Sequence, residues 1–347
     1  MKTTIQNQED DKLTLIREFP KKAWGIGALL TTSLACNITA LLVPFMNVKT
    51  FLHHQQFYSL PNSVHLMIES KLYIIAALIV AFSMVFPFVK LALLTVILFF
   101  LPKPTIRKRW LKRLRPLGKW SFLDIFVVSI ILILTNAQFF ISAKPLIGIY
   151  FFIFAIALSM LSASAMEHLV ERPPIITNTE NRTSLAQIQS PERLLVPLLW
   201  GLSLIIFCVA VESSFIKVNQ FMLAKHAYSI LGAVTSLWNN HNYAIGTVLA
   251  IALIGMPLLS FFLFAFIWIK PLNRRQRWCW HQHLKTLTSL SMLDVFGLAL
   301  FVFLFEGQDL VKTEIKAGLF FLIVSVAITF LAFLVLTKIS QKYLDWD

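Results

Sequence analysis

The segment Lys119-Trp120-Ser121-Phe122-Leu123-Asp124-Ile125-Phe126 returns as Ser289-Leu290-Ser291-Met292-Leu293-Asp294-Val295-Phe296. The offset is 170 residues, Ser121 to Ser291, and it holds without a gap over 83–130 and 253–300. In that register Pro87 meets Pro257, Arg107 meets Arg277, Trp110 meets Trp280, and the Ser, Leu, Asp and Phe of the two motifs coincide. The chain is therefore a duplication, and whatever one half folds into the other must repeat.

Each motif opens a long apolar run, and such runs recur at 23–45, 72–101, 121–142, 145–166, 194–214, 243–269, 289–305 and 317–336. A membrane-crossing helix needs about 20 apolar residues, so the reading is eight spans, four per half. Composition agrees: 57% of residues are hydrophobic, 14% are charged, and mean hydropathy is +0.73. That leaves too little polar surface to cover a water-soluble fold. The expectation is an all-α integral membrane protein of eight transmembrane helices in two tandem four-helix repeats. A tail at 1–22, units at 23–169 and 194–340, a polar linker at 170–193 and a tail at 341–347 complete it. The first apolar run lacks a small-residue cleavage site and reads as a true span rather than a signal peptide.

Lys and Arg set the orientation. The segments before Ala23, at 103–119, 172–193 and 270–285, and after Leu336 hold 23 of the 31 basic residues; seven lie on the other side and Lys90 lies within a span. Both termini are expected in the cytoplasm. The net charge of +14 then reflects topology and attraction to anionic headgroups, and no nucleic-acid partner is needed to explain it. The stretches 47–70 and 217–242 are read as outward-facing loops of similar length. The basic segment Arg107-Lys108-Arg109-Trp110-Leu111-Lys112-Arg113 suits an amphipathic helix on the inner leaflet.

The second run, at 72–101, would be about 45 Å long as one helix, against a core of about 30 Å. Pro87, and Pro257 in the other half, mark where it should kink, because proline removes one backbone donor. Ser121 with Asp124, and Ser291 with Asp294, have capping-box spacing. Helix capping by itself would account for them.

Deeper ionisable groups carry more information. Lys90 lies roughly 16 Å inside its span, where a lysine costs about 2.5–3.5 kcal/mol on insertion scales. Glu306 and Asp309 share one helical face, about 18 and 22 Å beyond Asp294. Glu212 near the end of the fifth run is a further acid. Two readings stand: Lys90 and Glu306 or Asp309 line a shared polar cavity for a headgroup or a proton, or each snorkels separately to an interface. At the matching positions Lys90 becomes Ser260, Glu306 becomes Asn136 and Asp309 becomes Phe139, so the halves have diverged in their polar residues.

Cys36, Cys208 and Cys279 are isolated, and His53-His54 and His281-x-His283 read as interfacial or loop histidines, so no metal and no cofactor is expected. The sequence has no Walker loop, Gly-x-Ser-x-Gly or His-Glu-x-x-His, and no enzymatic activity is assigned.

The paired Ser-x-Leu-Asp-x-Phe motifs, Pro87-Phe88-Val89-Lys90 and the basic tryptophan segments resemble the paraquat-inducible protein A family, over nearly the whole chain. Leu290 stands where tryptophan is usual. The resemblance implies an inner-membrane subunit of a Gram-negative envelope. Such a subunit works with a periplasmic mammalian-cell-entry-domain protein to move phospholipid between membranes. It also aligns Glu306 and Asp309 with a polar cluster near the outer end of the third span of a unit. Family members usually carry a Cys-x-x-Cys zinc ribbon before each unit; 1–22 and 171–192 contain no cysteine, so a structural zinc is not carried over. Other classes predict different behaviour: a proton-coupled small-molecule transporter would act alone in liposomes, and a membrane scaffold would tolerate every intramembrane polar substitution.

Overall fold

The computed structural model describes residues 14–50, 53–69, 71, 73–101, 103–136, 141–170, 184, 194–220, 224–306 and 313–344. The chain divides into two compact units, Met1–Arg172 and Pro173–Asp347.

The first unit begins with a helical turn, Leu15–Glu18, and then α1, Pro20–Leu42. Pro20 stands in the first helical turn, where its missing N–H costs nothing. At 23 residues α1 is about 35 Å long, enough for a hydrocarbon core of about 30 Å. The chain then forms β1 (Met46–Thr50), β2 (His53–Tyr58) and α2 (Leu60–Glu69). It returns through α3 (Tyr73–Ile79), a π-helical stretch (Val80–Val85) and α4 (Phe86–Phe99). Next come α5 (Pro104–Trp120), α6 (Leu123–Asn136), β3 (Ile141–Pro145) and α7 (Ile147–Val170).

The second unit repeats this order: α8 (Leu195–Glu212), β4 (Ile216–Gln220), β5 (Ala224–Tyr228), α9 (Ile230–Asn239) and α10 (Tyr243–Ala250). A second π stretch (Ile251–Gly255) leads into α11 (Met256–Ile269), α12 (Arg274–Leu290), α13 (Leu293–Glu306), β6 (Thr313–Ile315) and α14 (Ala317–Leu344).

The strands correct the reading of 47–70 and 217–242 as loops. Met46-Asn-Val-Lys and Ile216-Lys-Val-Asn alternate apolar and polar residues, the period of a strand. A window of membrane-span length averages that signal away. Each unit carries a three-stranded antiparallel sheet, ordered β2-β1-β3 and β5-β4-β6. Met46 pairs with Tyr58 and Pro145, and Ile216 pairs with Tyr228 and Ile315, the same register 170 residues on. The third strand comes from the far end of the unit, so the sheet ties the connection after the first helix to the connection before the last.

Just ahead of each proline the helix widens into a π turn. The N–H of Phe86 bonds to the carbonyl of Ala81, and that of Met256 to the carbonyl of Ile251, five residues back in each case. A proline ring at 87 or 257 would clash with the carbonyl four residues earlier, and a wider π turn moves that carbonyl aside.

The third apolar run of each half is shorter than the sequence suggests. Helices α6 and α13 have 14 residues each, about 21 Å, because α5 and α12 claim the residues before them and β3 and β6 lie beyond. Seven helical stretches among the described residues are long and apolar enough to cross a membrane, the sixth only by running from α12 into α13. Six of these lie outside α6 and α13, so the expected eight spans rest on counting those two short helices as crossings in their own right.

Helix α5 buries Arg107, Leu111 and Leu114 and exposes Lys108, Arg109, Lys112 and Arg113, the stripe expected of an amphipathic helix. Helix α12 buries Arg277, His281 and Leu284 in the same stripe. Arg107 reaches Glu18 at 3.2 and 3.3 Å. Leu15, Ile26, Leu94, Leu98, Leu114 and Met166 belong to one apolar core cluster of the unit.

First and last long helices pack together in both units. A Cβ on Gly148 would lie 2.8 Å from the carbonyl oxygens of Val43 and Pro44, and one on Gly318 would lie 2.6 Å from those of Ser213 and Ser214. These atoms are backbone and cannot rotate away. Gly148→Ala and Gly318→Ala are expected to cost about 1–3 kcal/mol each by forcing the helices apart. Gly25→Ala, with nothing within 4 Å, should be neutral or gain up to about 1 kcal/mol. Thermal unfolding in detergent checks the order.

Candidate functional site

Lys90 lies on α4, three residues beyond the proline, with 1% of its surface exposed. Its Nζ donates to Ser159 Oγ of α7 at 2.9 Å. Ser159 in turn donates to the carbonyl of Ile156 at 2.9 Å, which orients the hydroxyl lone pairs toward the lysine. An ammonium has three N–H donors, and one is used among the described residues. No carboxylate there lies in ion-pair range of Lys90.

Other hydroxyls line the interior of the same unit. Ser33 on α1 donates to the carbonyl of Ala155 at 2.8 Å, Asn37 donates to the carbonyl of Ser33, and Ser162 donates to the carbonyl of Leu158. Ser83, in the π stretch, is buried with no hydrogen-bond partner among the described residues. A helix interior with a wide turn, a lone hydroxyl and a lysine is polar where lipid would be the default surroundings.

The outer flank of this helix is apolar. A groove of about 720 Å³ opens between α2 and the α3–α4 segment, walled by Ile68, Tyr73, Ala77, Val80, Val85 and Val89. It is the largest of the cavities described, and its walls are almost wholly apolar, which suits a hydrocarbon chain better than a polar solute.

In the second unit the same framework holds different groups. Ser203 Oγ lies 3.4 Å from the carbonyl of Ser325, repeating the Ser33 to Ala155 bond 170 residues on. Lys90 is replaced by Ser260 and Ser159 by Thr329. The family model of paraquat-inducible protein A matches residues 25–169 and again 196–340. The chain belongs to the paraquat-inducible protein A family. No curated protein and no solved structure matches it.

The other residues singled out from the family's motifs take structural places. Pro87 and Pro257 are buried at the starts of α4 and α11. The capping reading of the serines needs correction. The carbonyls of Phe122 and Met292 accept the first helical bonds, from Phe126 and Phe296, so these residues are the N-caps and Ser121 and Ser291 stand one place earlier. Asp124 and Asp294 fall in the first turns of α6 and α13, where the helix dipole favours an acid. Asp294 is exposed. Leu123, Phe126, Leu293 and Phe296 are core, which makes the apolar half of the motif a packing element.

Glu212 is the exposed last residue of α8, in the place of an interfacial acid rather than an intramembrane one. Glu306 closes α13, and Asp309 lies outside the described residues. His281 is buried rather than interfacial, stacked on Phe333 with ring centroids 5.8 Å apart. Ser159, Ser33 and Ser203 were not singled out from sequence. The signal was present, since Ser33 and Ser203 are polar residues at equivalent places in two apolar runs.

Lys90→Met removes a buried ammonium together with its desolvation penalty, and such replacements are neutral or stabilising. Ser159→Ala leaves the ammonium without its acceptor and is expected to cost about 1–3 kcal/mol. Thermal unfolding of the two variants separates the roles: if Lys90→Met were the more damaging, the lysine would be a structural tie.

Proposed function

We propose that this paraquat-inducible protein A family member is a lipid-handling subunit of a trans-envelope transport system in a Gram-negative inner membrane. It binds phospholipid and passes it to a periplasmic mammalian-cell-entry-domain partner, without covalent chemistry on the lipid. The observation that carries the reading is the buried Lys90, held by a single described hydroxyl, on a helix whose other flank is an open apolar groove. A phospholipid needs that pairing of a cationic donor for its phosphate and an apolar trough for its chain.

In this reading the basic helices α5 and α12 lie on the cytoplasmic leaflet, where their lysines and arginines meet anionic headgroups. Both termini are cytoplasmic. The sheets then face the periplasm, and their edge strands are where a partner chain would add.

A photo-reactive side chain at Ser83 tests the proposal in cells. Ser83 is buried in protein, so annular lipid does not reach it, whereas Phe262, 72% exposed, reports annular lipid. Capture of phospholipid at Ser83 that is lost with Lys90→Met, with capture at Phe262 unchanged, is the expected result. Absence of lipid at Ser83, or capture indifferent to Lys90→Met, would remove lipid handling and leave the transporter and scaffold classes.

A further inference from the structure

The turn between α2 and α3 returns in the second unit between α9 and α10. Lys71 and His241 both adopt a φ of 61°, the left-handed region that a non-glycine residue seldom enters. The N–H of Lys71 bonds to the carbonyl of Ile68, and that of His241 to the carbonyl of Trp238, at 3.0 Å in each case. His241 Nδ1 also lies 2.9 Å from the hydroxyl of Tyr243. The backbone therefore sets Ile68 and Trp238 at the same place in their units, at the end of a short helix beside the next one. The difference lies in the side chains.

In the first unit Ile68 and Ala76 stand in the walls of the open apolar groove. Through the 170-residue repeat Ile68 becomes Trp238 and Ala76 becomes Gly246. The exchange is matched, since a larger side chain arrives where the opposing methyl has been removed. A Cβ restored on Gly246 would lie 2.6 Å from Cδ1 and 2.8 Å from Nε1 of Trp238, well inside the roughly 3.5–4.0 Å at which carbon atoms pack. The pyrrole edge of the indole thus rests on the backbone of α10, across the gap that Ile68 leaves in the first unit. Elsewhere along the wall the changes in size offset one another, as Ala81 becomes Ile251 and Val85 becomes Gly255. A tryptophan at a membrane interface ordinarily anchors a helix at headgroup level, but such an anchor needs no glycine beneath it.

We propose that Trp238, seated on Gly246, plugs in the second unit the groove that the first unit keeps open, so that the first unit alone takes up an acyl chain. The pairs Ile68 with Ala76 and Trp238 with Gly246 then decide which unit accepts hydrocarbon. The polar divergence runs in parallel: the open groove flanks the helix that carries Lys90, and the plug belongs to the unit in which that lysine is Ser260. The inference rests on the lipid-handling reading for the identity of the occupant, and the outcomes of its test keep the two apart.

Photolabelling of the full chain in detergent with a diazirine-bearing palmitic acid, mapped to residues by peptide mass spectrometry, tests it. Labelling at Phe262, 72% exposed, gives the level of non-specific contact. In the wild type, labelling at 64–89 is expected to exceed that level several-fold, while 234–259 stays at it. Exchanging the pairs should move the label. Trp238→Ile with Gly246→Ala raises labelling at 234–259 several-fold, and Ile68→Trp with Ala76→Gly lowers 64–89 to the level at Phe262. Equal labelling of both segments in the wild type, or a second unit that stays unlabelled after the exchange, would make Trp238 an interfacial anchor; the plug would be overturned and the lipid reading left standing. A wild type labelled at neither segment would overturn both. Each double variant installs the pair that the other unit already carries, and should one of them not fold, the other decides.

Discussion

A backbone inside hydrocarbon has no water to bond, so every polar group there must find its partner within the protein. The fold follows from how each unit meets this condition. Helices satisfy their own ladders, and the connections between them form small three-stranded sheets. Where proline breaks a ladder, the chain widens into a π turn with an Ala81 or Ile251 carbonyl as acceptor. Serine hydroxyls inside the bundle bond to carbonyls, and the two at equivalent positions, Ser33 and Ser203, lie against the last helix of their unit. Together with the glycines at 148 and 318, they set how closely first and last helices approach.

On that shared frame the halves differ in interior chemistry. One holds a lysine against a serine, and the other has serine and threonine hydroxyls at the equivalent places. Duplication followed by such divergence lets a single chain present two chemically distinct interiors without altering its packing. The cost of burying Lys90 is substantial on any insertion scale, and Met or Leu would fill the same volume without it. That cost, beside an open apolar groove, is what the proposed phospholipid site rests on.

Much of the architecture was legible in the residues because it is periodic over long runs. The duplication and the positions of the long helices rest on patterns of fifteen residues or more, and the basic run at 107–113 already marked the amphipathic α5. Most shorter features were not legible. The five-residue strands alternate correctly but sit in segments whose average polarity reads as loop, and β3 and β6 become strands only through pairing with residues far away in the chain. Capping shifted by one place, because the buried Phe122 and Met292 backbones, rather than the serine hydroxyls, start the helices. Lys90 stood out for the energy of its burial, whereas its partner Ser159 did not, since serines are common and cheap in apolar helices. The suggested pairing of Lys90 with Glu306 or Asp309 spans two units, and Asp309 lies outside the described residues.

The claim that Lys90 holds a ligand rather than a helix pair is tested most directly by native mass spectrometry of the purified protein. The wild type is predicted to retain a phospholipid through desolvation, and Lys90→Met to lose it while keeping its fold, with Lys103→Met as an exposed control that retains it. Equal retention by all three proteins would mean that the buried lysine does not bind lipid, and the account of this unit as a headgroup site would be wrong.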